Sequence, residues 1–487
     1  DGIMAKSFLE NEPSISMNIV GFGQAGSRIA DQFASFKNKQ GEQVYNCFAL
    51  NSNAGDLTGL RYIPEEHRFN LDLGGMGKNP EKGIKILEDN VDFKRIVLEE
   101  IPYDSKLILF IAGLGGGTGT STIVKAIEEY STEKYKPAIN KTLAKIVEQI
   151  GEDVFYENPQ KYVKQAANIV KDKLPSIGVI VTLPLRADGA DTLRQVSKFA
   201  NRLWKLANDA TSGVSFIIFA DNQHFYDEFH SLKPQQRLKT DNYRDYANKI
   251  ISQTLHEINA ASNGEGSDVM FDREDFRRIV LEGQGSLVIN RVSCPIDKSK
   301  KSSDLEKMLL ESMEGSILHE PIQLINEKNG IKESTEIYHV GLMAIIDKDK
   351  SISSNFLDET KVKIAESELF ITGSVFTGYL QELNDHEAAV YTFYKSNGLP
   401  TRLAKGLVEE YQEYMEKKKS VKTVDTSIQT IETDEAGFDL NIDLDSLGLD
   451  GILGPKKEQE EENKPNQEKK DFDKILKEIN IDELLNS

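Results

Sequence analysis

Apolar residues along this chain come in short unbroken runs, separated by stretches with helical spacing. The runs at 16–20, 46–51, 107–111, 178–182 and 214–219 are too short for helices and mostly apolar, 107–111 wholly so. Runs of that kind predict strands buried on both faces. Helical patterns fall between them up to about Asp221, and the alternation predicts a parallel sheet with helices on both sides. Over 241–261, Tyr243, Tyr246, Ala247, Ile250, Ile251, Leu255 and Ile258 recur mostly at spacings of three and four, which predicts one long helix. The pattern then becomes sparser. Strands are expected at 286–292, 336–347 and 388–394, helices at 303–318 and 355–368, and a charged helix at 400–419. Residues 134–173, with Ile139, Leu143, Ile146, Val147 and Ile150 at helical spacing, read as an added helical hairpin.

Glycine punctuates this pattern at strand ends. The string Gly113-Leu114-Gly115-Gly116-Gly117-Thr118-Gly119-Thr120-Ser121 follows the 107–111 run and leads into a helical pattern. Glycines let backbone N–H groups approach a ligand closely, and a helix N-terminus adds positive partial charge, so this arrangement suits a phosphate. The string contains no lysine and so is not the P-loop of ordinary NTPases. A second turn, Gly21-Phe22-Gly23-Gln24-Ala25-Gly26, follows the first run and fits a dinucleotide-binding fingerprint. That alternative, an NAD-binding oxidoreductase, wants an acid near the end of the second strand, where this chain has Asn51 and Asn53. Two glycine loops on adjacent strand ends suit one triphosphate gripped from two sides.

The string at 113–121 resembles the phosphate signature of the tubulin and FtsZ superfamily, and the resemblance extends over residues 16–419. The stretch from Gly74 to Gly83 is similar to the family's γ-phosphate-sensing loop, with Gly75, Gly77, Lys78 and Asn79 as its contacts. Asn222, after the 214–219 run, and Asn248, on the long helix, match family asparagines that read guanine; an amide offers both donor and acceptor to the base edge. The aromatic that often stacks on the base is replaced by Arg244, next to Tyr243. Asp188 falls in a loop that aligns with the family's sugar contacts. The phosphate contacts implied are Gly23, Gln24, Ala25 and Gly26 in the first turn, Asn51, and Gly113, Gly115, Gly116, Gly117, Thr118, Gly119 and Thr120. After the long helix, Asp272 and Asp275 are spaced like the two acids that the family presents to a neighbouring subunit's nucleotide, Asp272 being favoured. Met270 stands where FtsZ usually has Asn, a departure that resembles the plasmid- and phage-borne TubZ branch.

The resemblance implies an α/β fold: a Rossmann-like parallel-sheet GTPase domain, a long central helix, a smaller α+β C-terminal domain, a C-terminal helix and a disordered tail. The boundaries expected are an N-terminal extension at 1–15, a GTP-binding domain at 16–240 with the insertion at 134–173, the central helix at 241–263, an α+β activation domain at 264–385, a C-terminal strand and helix at 386–419, and the tail at 420–487. It also implies GTP/GDP with Mg2+ as cofactors, with no metal-ligating side chains singled out. The implied activity is GTP hydrolysis activated by head-to-tail polymerisation, with self as first partner and a DNA-bound adaptor of the TubR type as second. Moving plasmid or phage DNA through such an adaptor is the expected role; FtsZ-like division or DNA positioning is the alternative.

Charge and composition narrow the partners. A net charge of −20 over 487 residues repels DNA phosphates and argues against direct DNA binding. Half of that excess lies in 420–487, where 18 acidic residues face 8 basic ones. Within this acidic tail, Asn441-Ile442-Asp443-Leu444 and Asn480-Ile481-Asp482-Glu483-Leu484 are similar, and Phe472, Ile475, Leu476, Ile479 and Leu484 share one helix face. They are read as two docking peptides for the adaptor on a flexible tether. No run approaches the ~20 apolar residues of a membrane span, no secretory signal is visible, and the two cysteines, Cys47 and Cys294, are read as reduced thiols, so a cytoplasmic protein without a membrane partner is expected.

Overall fold

The computed structural model describes residues 7–73, 79–262, 272–295, 301–347, 352–383 and 387–421. The expected tail from residue 422 onward, with both docking motifs, lies outside the described residues, as do Gly75, Gly77, Lys78 and Met270.

Thirteen strands are described: β1 (Met17–Phe22), β2 (Asn46–Asn51), β3 (Arg68–Asn70), β4 (Leu107–Gly113), β5 (Ser176–Leu183), β6 (Val214–Asp221), β7 (Ser286–Pro295), β8 (Ile325–Lys328), β9 (Ile331–Ser334), β10 (Glu336–Asp347), β11 (Phe370–Ile371), β12 (Val375–Leu383) and β13 (Glu387–Ser396). Eleven of them form one sheet in the order β11-β10-β13-β7-β6-β5-β4-β1-β2-β3, with β12 also paired to β10; β8 and β9 form a separate hairpin. From β3 to β6 every pairing is parallel. Beyond it, β13 runs antiparallel to both β7 and β10. The two halves meet at a single parallel pair, Ile217 with Ser286.

The period of two along β4 shows why the sheet is buried on both faces. Ile108, Phe110 and Ala112 join one core with Ile123, Val124 and Ile127 of the helix Gly117–Tyr130 and Val196, Phe199 and Leu203 of the helix Ala190–Ala207. Leu107, Leu109 and Ile111 join the opposite core with Ile29, Ala30 and Phe33 of the helix Gly23–Ala34 and Ile251, Leu255 and Ile258 of the helix Tyr243–Ala261. A third core lies against the other half of the sheet, where Leu305 and Leu309 of the helix Ser302–Ser312 and Phe356 and Ile364 of the helix Asn355–Ala365 cover Leu342 and Val390. The N-terminal segment is stapled to the long helix. Asn259 accepts from Ile15 N at 2.8 Å and donates to Ile15 O at 2.9 Å, and His256 Nε2 donates to Leu9 O at 2.8 Å.

Several boundaries shift from the sequence expectation. The helix expected at 303–318 stops at Ser312, because the following residues turn back to pair: Ile317 N donates to Ile289 O and Leu318 O accepts from Asp221 N. The expected hairpin at 134–173 is three helices, Lys136–Ile150, Glu152–Glu157 and Pro159–Lys171; Gly151 at φ 84° and the Asn158 cap before Pro159 break the run. The charged helix expected at 400–419 begins with one π-helical turn, Arg402–Gly406, before the regular Leu407–Ser420. Strands β8, β9, β11 and β12 carry mixed polar sequences at or off the sheet edge, and no apolar run announced them. Among the described residues no helix is long and apolar enough to cross a membrane.

Candidate functional site

A cleft of about 1060 Å³ opens at the carboxyl ends of β1, β2, β4, β5 and β6, where open α/β sheets bind ligands. Its floor is backbone. The helix Gly117–Tyr130 starts at Gly116 and the helix Gly23–Ala34 starts at Phe22, and neither start has a side-chain cap. Asn or Asp caps other helices, including Asn53, Asn90, Asn158 and Asn242, while the helices Ala190–Ala207 and Ser302–Ser312 also start without one; what sets the two glycine-loop starts apart is that they open into the same cleft. The first amides of the two glycine-loop helices are thus left to a ligand, with both macrodipoles directed at one space. The loops touch: Gly23 has φ +69°, and a Cβ there would stand 2.9 Å from Gly119.

Of the residues singled out in the sequence, Gly23, Gln24, Ala25, Asn51, Gly113, Gly115, Gly116, Gly117, Thr118, Gly119, Asp188, Asn222, Arg244 and Asn248 all line this cleft. Gly26 stands behind it, where a Cβ would overlap the Ile111 carbonyl of β4, so its contact is helix-on-strand packing. Thr120 is buried behind the loop as well, its hydroxyl donating to Gly116 O at 2.6 Å and Leu114 O at 3.1 Å. Asn79 caps the helix Pro80–Glu88 by accepting from Lys82 N at 3.2 Å, and is not among the lining residues.

Hydrogen bonds join the loops to one another. Thr118 and Ser52 hydroxyls lie 2.9 Å apart, linking the longer glycine loop to the end of β2. Asn51 Nδ2 donates to Asp56 at 3.2 Å. Asp188 accepts from Leu185 N at 2.9 Å, and Arg186 N donates to Gln223 at 3.0 Å, so the Asp188 loop and the Asn222 helix are tied together. At the far end, Arg244 Nε donates to the Tyr243 hydroxyl at 3.2 Å and lies 5.5 Å from its ring. Tyr226 meets Tyr243 edge-on at 5.3 Å. The cleft thus has a phosphate-like glycine end and an amide-and-ring end.

Behind the second end sits a buried charge. Asp221 caps the helix that begins at Asn222 and pairs with Arg402 at 2.8 Å; Arg402 also donates to Pro184 O at 2.6 Å. Burial pushes the Asp221 carboxyl up, and the Arg402 charge pulls it back. Tyr243, expected beside Arg244 at the stacking position, lines the cleft; sequence reasoning missed Arg402 and the lining residues Arg28, Asp56, Asn70, Asp72 and Thr192. Asp56 lies five residues after the end of β2 and Arg28 one turn into the first helix, offsets that a search of residues adjoining each glycine loop finds.

Asp272 and Asp275 do not line the cleft. Asp272 caps the helix Arg273–Leu281 by accepting from Glu274 N at 3.1 Å. Burial, and then the charge of Asp272, pushes the Asp275 carboxyl above its ordinary range.

No protein-family profile matches the chain. It is 24% identical over 290 residues to the tubulin-like protein TubZ of Bacillus cereus, covering 57% of this chain and 56% of that one. It is 30% identical over 129 residues to the tubulin-like protein CetZ1 of Haloferax volcanii, covering 24% of this chain and 33% of that one. The chain thus spans about half the length of the TubZ relative and a third of CetZ1. Among solved structures, a GTPγS-form protofilament of Bacillus thuringiensis serovar israelensis TubZ superposes with a TM-score of 0.58 at 18% identity, over 85% of this chain and 94% of that one. Sequence and fold together are similar to the tubulin/FtsZ superfamily, with TubZ and CetZ proteins among the relatives, and the fold itself is tubulin-like.

Proposed function

We propose that the chain is a GTPase that polymerises head to tail, holding GTP in the cleft of one subunit and hydrolysing it with acids from the next. The observation that carries this reading is the pair of helix N-termini without side-chain caps, meeting behind two glycine loops in a cleft that ends in Asn222 and Asn248. Backbone amides at the glycine end suit the phosphates. Asp188 suits the ribose hydroxyls, and the two asparagines suit guanine O6 and N2. Asp56, Asp72 and the amide oxygens of Asn51 and Asn70 are hard oxygen donors near the same end. Among the described residues no cluster of three His, Cys, Asp or Glu could hold a metal, so Mg2+ would be held mainly by the phosphates with these oxygens around it. Bound there, it would neutralise phosphate charge.

The cleft lining holds Asp56, Asp72 and Asp188 but neither acid expected to act in hydrolysis. Asp272 and Asp275 stand on a different helix, which supports delivery in trans. There they would orient and polarise a water, a positioning and electrostatic role. A contact between unlike faces does not close into a dimer and propagates as a filament; the TubZ structure reported above is itself a protofilament. The division of labour proposed is nucleotide binding by 16–240, presentation of acids by 264–385, and adaptor docking by the 420–487 tail in a cytoplasmic segregation system. The −20 charge supports an adaptor rather than direct DNA contact.

Turnover per subunit, measured against protein concentration with light scattering alongside, tests the reading. Turnover and scattering should switch on together above a critical concentration. Concentration-independent turnover, or GTP binding with none, overturns it.

A further inference from the structure

The helix Arg273–Leu281, which starts at Asp272, is held at its other end by two lysines from distant parts of the chain. Lys395 on β13 is fully buried, and its Nζ donates to the carbonyls of Ser215 at 2.6 Å, Glu282 at 2.7 Å and Gly283 at 3.4 Å. Lys171, the last residue of the helix Pro159–Lys171, donates to Leu281 O at 3.4 Å. Three successive carbonyls, those of 281–283, therefore meet two cations at the end of the helix where the dipole is negative.

The partners of these lysines define what they tie together. Ser215 belongs to β6, so Lys395 fastens the end of the helix to the parallel half of the sheet. Lys171 fastens it to the helices that separate the longer glycine loop's helix from β5. Beneath the helix, Phe276 packs edge-on against Phe393 at 5.7 Å, so β13 supplies both a packing surface and a cap. The Glu282 carboxylate turns away to His339 Nε2 at 3.1 Å, leaving Lys395 to carbonyl oxygens. Burial, and then the charge of Lys171, depresses the Lys395 pKa well below the ordinary lysine value. A buried ammonium is costly to keep, and here its cost is offset by the three carbonyls it serves.

We propose that Lys171 and Lys395 are positioning residues for hydrolysis: they fix the helix Arg273–Leu281 against the nucleotide-binding half, and so set where Asp272 and Asp275 stand when offered to the next subunit's GTP. The inference rests on the reading under Proposed function, and it gives the helices of 134–173 a role.

The test is GTP turnover per sedimented subunit of the full chain, against GTP concentration, for Lys171→Met and Lys395→Met. The expected result is a kcat lower by about tenfold, with KM for GTP and the critical concentration within about twofold. Lys171→Arg should restore turnover, and Lys171→Met should add nothing in an Asp272→Ala background. Lys395→Met removes buried hydrogen bonds and is the harsher change; half-buried Lys171 carries the test if that variant does not fold. Unchanged kcat in Lys171→Met, or an equal further loss on top of Asp272→Ala, overturns the inference. An unaltered chain that shows no assembly-linked turnover overturns the functional reading instead.

Discussion

Replacing Arg402 with methionine tests whether a buried charge holds the Asn222 end of the cleft from behind. The Arg402 side chain is 4% exposed and that of Asp221 2%, and the pair is closed at 2.8 Å. Methionine keeps an apolar stem of similar length, so the change is mainly electrostatic. It leaves the Asp221 carboxylate buried without its cation, the Pro184 carbonyl without its donor, and the more exposed Glu410 carboxylate without the guanidinium it grips at 3.1 and 3.2 Å. Removing one partner of a buried pair costs about 3–5 kcal/mol. Burial already pushes the Asp221 carboxyl up, so the orphaned group takes a proton more readily, which favours the lower part of that range. Asp221 caps the helix that begins with Asn222, and Pro184 lines the cleft, so nucleotide affinity should fall with stability. Trp204, the single tryptophan, lines the same outer hollow as Asp221 and Arg402, so urea unfolding followed by its fluorescence reads this region. Arg402→Met should lose about 3 kcal/mol, and Arg402→Met with Asp221→Asn should regain about 1 kcal/mol or more by removing the stranded charge. Guanine nucleotide should bind about tenfold more weakly to the single variant. Unfolding within about 0.5 kcal/mol of the unaltered chain, or a double variant weaker than the single, refutes the reasoning.

Other outcomes follow from single contacts. Burial lowers the His256 pKa to about 4 despite its bond to Leu9 O; the unfolded chain therefore binds the extra proton between pH 6.5 and 4, and stability falls as pH drops through that window by about 3 kcal/mol. His256→Gln should flatten the acid limb in unfolding experiments at stepped pH, and an unchanged slope argues against this role. Gly26→Ala places a Cβ on the Ile111 carbonyl and should cost about 2 kcal/mol or more in thermal unfolding, since backbone on both sides leaves nothing to yield. Asp272→Ala should reduce turnover by about a hundredfold or more while GTP-dependent sedimentation persists. Loss of its helix cap should cost only about 1 kcal/mol. Normal turnover in that variant removes Asp272 from the mechanism.

The sequence by itself determined the parts of this protein written in local physics. Runs such as Leu107–Ile111 must be buried on both faces, and β4 is; glycine after a strand and before a helix makes an anion-binding turn, and both such turns line the cleft. Asn222 and Asn248 were singled out only through the family resemblance, and both line the cleft, Asn222 opening one helix and Asn248 lying in the second turn of another. Tertiary structure decided the rest, because it depends on pairings between residues far apart in the chain. Only folding brings Arg402 to Asp221, 181 positions away, or Lys395 to Ser215, 180 positions away. The helix at Ser302–Ser312 ends where it does because Ile317 bonds to Ile289 on a strand that its own sequence cannot foresee. Edge strands such as β12 are shaped by the neighbour they pair with, so their mixed sequence carried little signal. Short-range patterning fixes which residues are buried and which loops suit a phosphate; the long-range contacts, made only once the sheet has formed, fix how those loops are held.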